Sequence, residues 1–335
     1  MNKAKPPFHV TDKMILLIAE ISEQVGRMAV QQERTINPHL RRENRIRTIH
    51  SSLAIEHNSL SLEQVTAILD GKRVLGNPNE IKEVQNAYEA YELMLGLNPL
   101  SVDDLLKAHK LMMNGLVLEN GRFRSGGVGV FEGEALIHMA LPAQFVPEHI
   151  QNLLIWYEQS ELHPLIKSAV FHYEFEFIHP FVDGNGRLGR MWHSLLLGKW
   201  KELFFWLPME ELIQSRQKEY YEALGAADMQ ADSAGFVELM LEIIRDSLLE
   251  ITVVGSSSDQ DSDQVNDQDE TCVKRLLAIL GEDTLSAVEI MERLGLSHRP
   301  TFRKNYLNPA LEKLFIERTI PDKPNSKNQR YRRRK

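Results

Sequence analysis

Residues 179–190 read His-Pro-Phe-Val-Asp-Gly-Asn-Gly-Arg-Leu-Gly-Arg and gather a base, a carboxylate, a glycine turn and two arginines within one loop. His179 can take up a proton near neutral pH. Asp183 suits a divalent cation that phosphate oxygens also coordinate, Mg2+ being the usual choice. Glycines at 184 and 186 let successive backbone N–H groups converge at the start of a following helix, whose partial positive charge favours an anion. Arg187 and Arg190 are three apart, on the same side of that helix, where both guanidinium groups can grip phosphate oxygens in pairs. The stretch therefore suits chemistry at a phosphate.

Two other chemistries compete for the same residues. Gly184, Gly186 and Gly189 fit Gly-x-Gly-x-x-Gly, the dinucleotide fingerprint, but that motif needs a strand before it and a βαβ unit around it. Here Ala169, Val170, Tyr173 and Phe177 follow a helical period, and no parallel-sheet pattern appears. His172 and Glu176, with His179 and Asp183 nearby, could be drawn as a zinc hydrolase; His-Glu-x-x-His is missing and the glycines go unexplained.

The elements that must position this loop read as helix after helix. Pro180 stops the incoming helix and the 3.6 period resumes at Met191, Leu195 and Leu196. From Asp12, Ile15, Ile18, Ile21, Val25 and Met28 form one amphipathic face; Ile81, Val84, Tyr88, Tyr91 and Leu95 form another, ending at Gly96. Ser61-Leu62-Glu63-Gln64 is a capping box ahead of a helix stopped by Gly71, and Ser101-Val102-Asp103-Asp104 opens a helix through Leu105, Ala108 and Met112. Gly121 to Pro147 breaks the pattern with five glycines and short β-prone pieces, and reads as a β-hairpin or flap. Pro147 then opens a helix through Ile150, Leu153, Leu154 and Tyr157.

With 335 residues, 43% hydrophobic and 26% charged, the chain is folded and long enough for two domains. The single cysteine, Cys272, rules out an internal disulfide, and Met1 to Pro7 leads into no apolar signal region, which points to a reducing cytoplasm. The apolar stretch from Leu195 to Leu207 is interrupted by Lys199, Lys201 and Glu202, so no membrane segment is expected. Residues 255–270 hold six acidic residues and one aliphatic, Val265, and read as a solvated linker. From Ser297 onward twelve basic residues face three acidic ones, whereas the whole chain carries −8. The basic end should attract polyanions that the acidic remainder repels. Helical signals at 273–280, 287–294 and 299–314, followed by a Pro- and Asn-punctuated two-stranded piece over 316–331, suggest a winged helix with His298, Arg299, Arg303 and Lys304 toward DNA, or else a protein-docking module.

The loop resembles the signature of the Fic family, His-x-Phe-x-Asp/Glu-Gly-Asn-Gly-Arg-x-x-Arg, with His179, Phe181, Asp183, Gly184, Asn185, Gly186, Arg187 and Arg190 all in place. The resemblance implies a mainly α fold, a Fic-type helical bundle with a β-hairpin flap, to which the small winged-helix domain is appended. The expected organisation is a helical region over 1–115, a catalytic core over 116–254, the linker over 255–270 and the basic domain over 271–335. The implied activity is transfer of AMP from ATP to a Ser, Thr or Tyr hydroxyl of a protein, with His179 as the base that deprotonates the hydroxyl. Asp183 would hold Mg2+, and the run Asp183, Gly184, Asn185, Gly186, Arg187, Leu188, Gly189 and Arg190 would bind ATP. Tyr220 and Tyr221 would line the adenine side, with Asp228 where many relatives carry Asn. Leu136, Ile137 and His138 of the flap would pair with an extended target segment. Residues 52–58, Ser-Leu-Ala-Ile-Glu-His-Asn, are similar to the family's inhibitory Ser/Thr-x-x-x-Glu-Gly/Asn motif, with His57 departing from the usual Gly or Asn. Glu56 would then pair with Arg190 and misdirect ATP; relatives also use this Glu in removing AMP. Expected partners are ATP, the target protein, a second copy of the chain and DNA, with no membrane. The competing reading is a DNA-binding regulator with a nucleotide-sensing module, against which the intact His179 argues.

Overall fold

The computed structural model of the chain describes residues 5–35, 38–127, 129–132, 135–258, 275–277, 279–281, 283–294, 296, 302–312, 315–320, 326 and 329–334. It divides into two compact units, Met1–Ile251 and Thr252–Lys335. The first unit is helical: α1 (Asp12–Thr35), α2 (Pro38–Ile55), α3 (Leu62–Leu69), α4 (Pro78–Met94), α5 (Val102–Met112), α6 (Val146–Gln159), α7 (Pro164–Ile178), α8 (Asn185–Trp200), α9 (Met209–Ser215), α10 (Gln217–Gln230) and most of α11 (Ala234–Ser258), whose last residues lie past Ile251. Helix thus enters the first four residues of the stretch whose composition reads as linker.

Local chemistry explains the helix ends. Ser61 closes a reciprocal capping box with Gln64, and Ser101 caps α5 through the Asp104 N–H. Pro147 falls in the first turn of α6. The end of α2 is a Schellman motif: the Asn58 N–H reaches the Leu53 carbonyl and the His57 N–H that of Ala54, with His57 left-handed at φ 68°. That conformation accounts for the usual Gly or Asn here. A His holds it at a cost of roughly 1–2 kcal/mol.

Helix α8 is the axis of the unit, with every residue from Arg187 to Gly198 buried. One core cluster joins its Leu188, Met191, Trp192 and Leu195 to Ile49, Leu53, Val84, Tyr91, Leu105 and Phe181; a second joins α1, α7, α9, α10 and α11 around Tyr173, Phe204, Phe236 and Met240. The α1 stripe differs from the periodic reading. Met14, Leu17, Ile21 and Val25 are buried and Ile15 is exposed, because an unbroken aliphatic run offers two stripes and the packing partner selects one. In α4, Val84, Ala87, Tyr91 and Met94 are buried, while Tyr88, and Leu95 just past the helix end, are exposed.

Between α5 and α6, β1 (Gly129–Glu132) and β2 (Ala135–Met139) form an antiparallel hairpin, irregular between Val130 and Phe131. Leu136, Ile137 and His138 all lie on β2.

In the second unit, helical backbone at 275–277 and 279–280 precedes β3 (Leu285–Ser286), α12 (Ala287–Leu294), a π-helical turn (Arg303–Leu307) running into α13 (Asn308–Glu312), β4 (Ile316–Arg318) and β5 (Arg330–Arg333). The strands form an antiparallel sheet of order β3-β5-β4. The two-residue β3 was not expected; it is too short to show alternation. Its core holds Leu276, Leu280, Ile290, Phe302, Leu307, Ile316 and Tyr331. His298 and Arg299 lie outside the described residues, and Arg303 is exposed.

Candidate active site

The motif is a loop between two helices, α7 and α8, so the glycines follow a helix and not a strand. His179 caps α7 in a left-handed conformation at φ 49°. Its Nδ1 lies 3.3 Å from the Glu176 carbonyl, which can only accept; the proton therefore sits on Nδ1 and the basic lone pair on Nε2. Asn185 braces the loop, accepting from the Phe181 N–H and donating to the Phe181 carbonyl, both at 2.9 Å. Phe181 is buried and stacks on His109 at 3.7 Å between ring centroids.

Gly184 begins α8 at φ 82°, and a Cβ there would fall 2.5 Å from the Met113 sulfur, so both backbone and space demand glycine. Its N–H is taken by the Asp183 carboxylate at 2.6 Å. The amides left without an intrahelical partner are those of Asn185, Gly186 and Arg187, at the positive end of the helix dipole. Glu56 reaches this cradle: a Cβ on Gly186 would lie 2.5 Å from Glu56 Oε1.

The two arginines go to different partners. Arg190, only 2% exposed, donates from Nη2 to Glu56 Oε1 (2.8 Å) and to the Ser52 carbonyl (2.9 Å), and from Nε to Ser52 Oγ (3.2 Å). Arg187 is buried and paired with Glu83 (2.9 Å) and Asp183 (3.1 Å). Glu83 in turn accepts from the Asn58 side chain at 2.8 Å. The segment 52–58 therefore touches Arg190 directly and Arg187 through Glu83. Asp183, with its side chain 53% exposed, keeps an oxygen toward solvent beside the cradle. One accessible carboxylate beside a helix N-terminus fits Mg2+, which uses one or two carboxylates and completes its shell with ligand oxygens and water.

Other expected site residues separate. Tyr220 is buried, its hydroxyl 2.8 Å from His172 Nε2, whereas its neighbour Tyr221 is 45% exposed. The expected adenine-lining pair is thus split, because adjacent helical residues point about 100° apart. His172 is accordingly a core partner of Tyr220. Asp228 accepts from the Tyr173 hydroxyl at 2.8 Å. The Leu188 side chain lies in the core, and Gly189 packs against α7 so tightly that a Cβ there would meet Glu176 Oε1 at 2.3 Å.

His109, Glu83 and Arg124 carry no signal in the local sequence, since their partners are distant in the chain. His109 is neutral, its pKa lowered to about 4 mainly by burial. The Gly121 N–H donates to its Nδ1, so Nε2 carries the proton and donates to the Asp183 carbonyl at 3.0 Å.

Burial also pushes the Glu176 carboxyl up to about 8, with Glu56 adding and Arg190 opposing, and its Oε1 is buried without a hydrogen-bond partner among the described residues. In the unfolded chain this group ionises near 4.5, so the unfolded state sheds its proton first and stability falls as pH rises from about 4.5 to about 8. Glu176→Gln should leave the melting temperature at pH 5 close to wild type and raise it by about 5 °C at pH 8.5. Equal shifts at both pH values would show that Glu176 is not held protonated.

Residues 99–197 match the Fic/DOC family, and residues 271–333 match the C-terminal domain of the Fic-like "filamentation induced by cAMP" proteins. A crystal structure of a Fic family protein from Desulfovibrio desulfuricans G20 is 54% identical, covers 99% of this chain and 98% of that one, and superposes with a TM-score of 0.73. This chain belongs to the Fic family. Protein adenylyltransferase fic-1 of Caenorhabditis elegans is 26% identical over 229 residues, 65% of this chain and 42% of the relative. Protein adenylyltransferase Fic of Nematostella vectensis is 29% identical over 192 residues, 54% of this chain and 42% of the relative. The chain therefore matches less than half the length of these curated relatives. Among the described residues no helix is long and apolar enough to cross a membrane.

Proposed function

We propose that this chain transfers AMP from ATP to a Ser, Thr or Tyr hydroxyl of a protein, its own chain included, and that Glu56 restrains the reaction. The observation that carries this is an internal carboxylate packed against Gly186 in the first turn of α8 and bonded to a buried arginine: Glu56 lies at a helix N-terminus and on a guanidinium, the two features that would suit a phosphate oxygen. In the forward step His179 Nε2 takes the proton from the hydroxyl, the oxygen bonds to the α-phosphorus, and the bond to the bridging oxygen breaks to release pyrophosphate. The α8 amides and Arg190 hold the phosphates and offset charge on the leaving group. Asp183 would hold Mg2+, which supplies further neutralisation of that charge. Glu56 in place is also suited to orient a water that attacks the phosphorus of the modified hydroxyl, releasing AMP and the free hydroxyl by hydrolysis. The test is incubation of wild type and Glu56→Gly with labelled ATP and Mg2+, followed by gel analysis.

For the second unit the reading is a winged helix that contacts duplex DNA. It is supported by helices set against a three-stranded antiparallel sheet, and by exposed Arg303, Arg333 and Arg334. Duplex binding followed by fluorescence anisotropy should weaken steeply between 50 and 200 mM salt, on the order of 40- to 150-fold for three or four phosphate contacts. No binding at 50 mM salt would leave this unit a protein-docking module.

A further inference from the structure

Arg124 is the buried cation that the proposed reaction does not use. It lies between α5 and the flap, 3% exposed, and among the described residues no carboxylate pairs with it. Among the described residues its guanidinium bonds only to backbone carbonyls: Nε to His179 (2.7 Å), Nη1 to Gly126 (3.0 Å), and Nη2 to Leu141 and to Ile178 (3.3 Å). Its own N–H donates to the Pro180 carbonyl at 3.0 Å. Burial lowers its pKa below the usual arginine value, so holding a cation here opposes folding unless those carbonyls compensate.

The acceptors are not a random set. Gly126 lies on the chain entering the flap and Leu141 on the chain leaving it, while Ile178, His179 and Pro180 are the end of α7 and the start of the catalytic loop. One planar fork thus joins both roots of the hairpin to the residue that carries the base. The Ile178 carbonyl is among the orphan acceptors of a helix C-terminus, where a cation is favoured, and the left-handed turn at His179 presents the next carbonyl beside it. A two-stranded hairpin leaves unpaired edges able to take an extended segment, so whatever fixes its roots also fixes where such a segment lies relative to His179.

We propose that Arg124 is a positioning residue that sets the distance and register between the flap edge and the His179 imidazole. This rests on the adenylyl-transfer reading. Its specific consequence is a split between binding and transfer: ATP sits at α8 and should not sense Arg124, whereas a target hydroxyl misplaced by about 1 Å loses on the order of 100-fold in rate. Lysine keeps the charge but presents a single point, not a fork, and cannot hold four diverging carbonyls.

The experiment compares full-length Glu56→Gly with the same chain carrying Arg124→Lys or Arg124→Ala. Labelled-ATP transfer rate, ATP affinity by calorimetry and amide hydrogen exchange are measured, and the Arg124→Ala form is repeated with millimolar guanidinium. Transfer should fall about 100-fold in both double variants while ATP Kd changes by less than about threefold. Exchange should quicken in β1 and β2 and stay unchanged along α8. Guanidinium should restore at least about tenfold of the rate, and the flap protection, to the alanine form by occupying the vacated fork. Arg124→Lys with transfer within threefold of its parent and unchanged flap exchange would overturn the proposal. So would loss of ATP affinity and of protection throughout the unit, which would mark Arg124 as a general structural residue. Should Glu56→Gly itself transfer no AMP, the reading of the activity fails, and flap exchange with its guanidinium rescue decides Arg124 alone.

Discussion

Glu56→Gly should raise incorporation of AMP from labelled ATP about 10- to 150-fold over wild type. Glu56 makes a charge-assisted hydrogen bond to Arg190 and packs against Gly186, so a nucleotide must displace it to gain Arg190. Such a bond contributes roughly 1.5–3 kcal/mol, which converts to that range of rate. The same change has an opposite effect on stability. Arg190 is buried, and without Glu56 it keeps only the Ser52 carbonyl and hydroxyl, leaving much of its charge uncompensated at a cost approaching about 3 kcal/mol. The variant without nucleotide should therefore melt below wild type, and ATP should raise its melting temperature more than it raises that of wild type. Unchanged labelling would remove the restraint from this account.

The second large effect is at His179. Replacing it by alanine in the Glu56→Gly chain should lower transfer by about 100- to 10,000-fold while ATP still binds, because proton transfer by a placed base accounts for that much and the imidazole is not part of the phosphate cradle. With its Nδ1 proton directed at the Glu176 backbone carbonyl, the ring presents Nε2 as the basic atom. A double variant that still labels at the rate of its parent would mean that the hydroxyl loses its proton elsewhere.

The loop could be read because its chemistry is local. Helix arrest at Pro180, the turn at Gly184 and the start of α8 are preferences acting over one or two helical turns, and the structure has them where the residues require them. Ser61 and Ser101 were legible as caps for the same reason. The stripes of α1 and α4 were legible as helices, but which residues face inward was not: the aliphatic run of α1 permits more than one face, and in α4 packing buries Ala87 and Met94 and leaves Tyr88 outside. Tyr220 and Tyr221 look equivalent in the chain; only packing against His172 makes one a core residue.

By itself the amino-acid sequence determined the inventory: a histidine, an acid, glycines and arginines in one short loop, a motif ending in Glu56, and a basic C-terminal end. Tertiary structure alone decided the pairings. It brought Glu56 to Arg190, Glu83 to Arg187, His109 to Asp183, and Arg124 to both roots of the flap and to the His179 carbonyl. Backbone preferences are settled among near neighbours, whereas a buried charge takes whichever partner the packing of distant helices brings within about 3 Å, and that choice leaves no local trace.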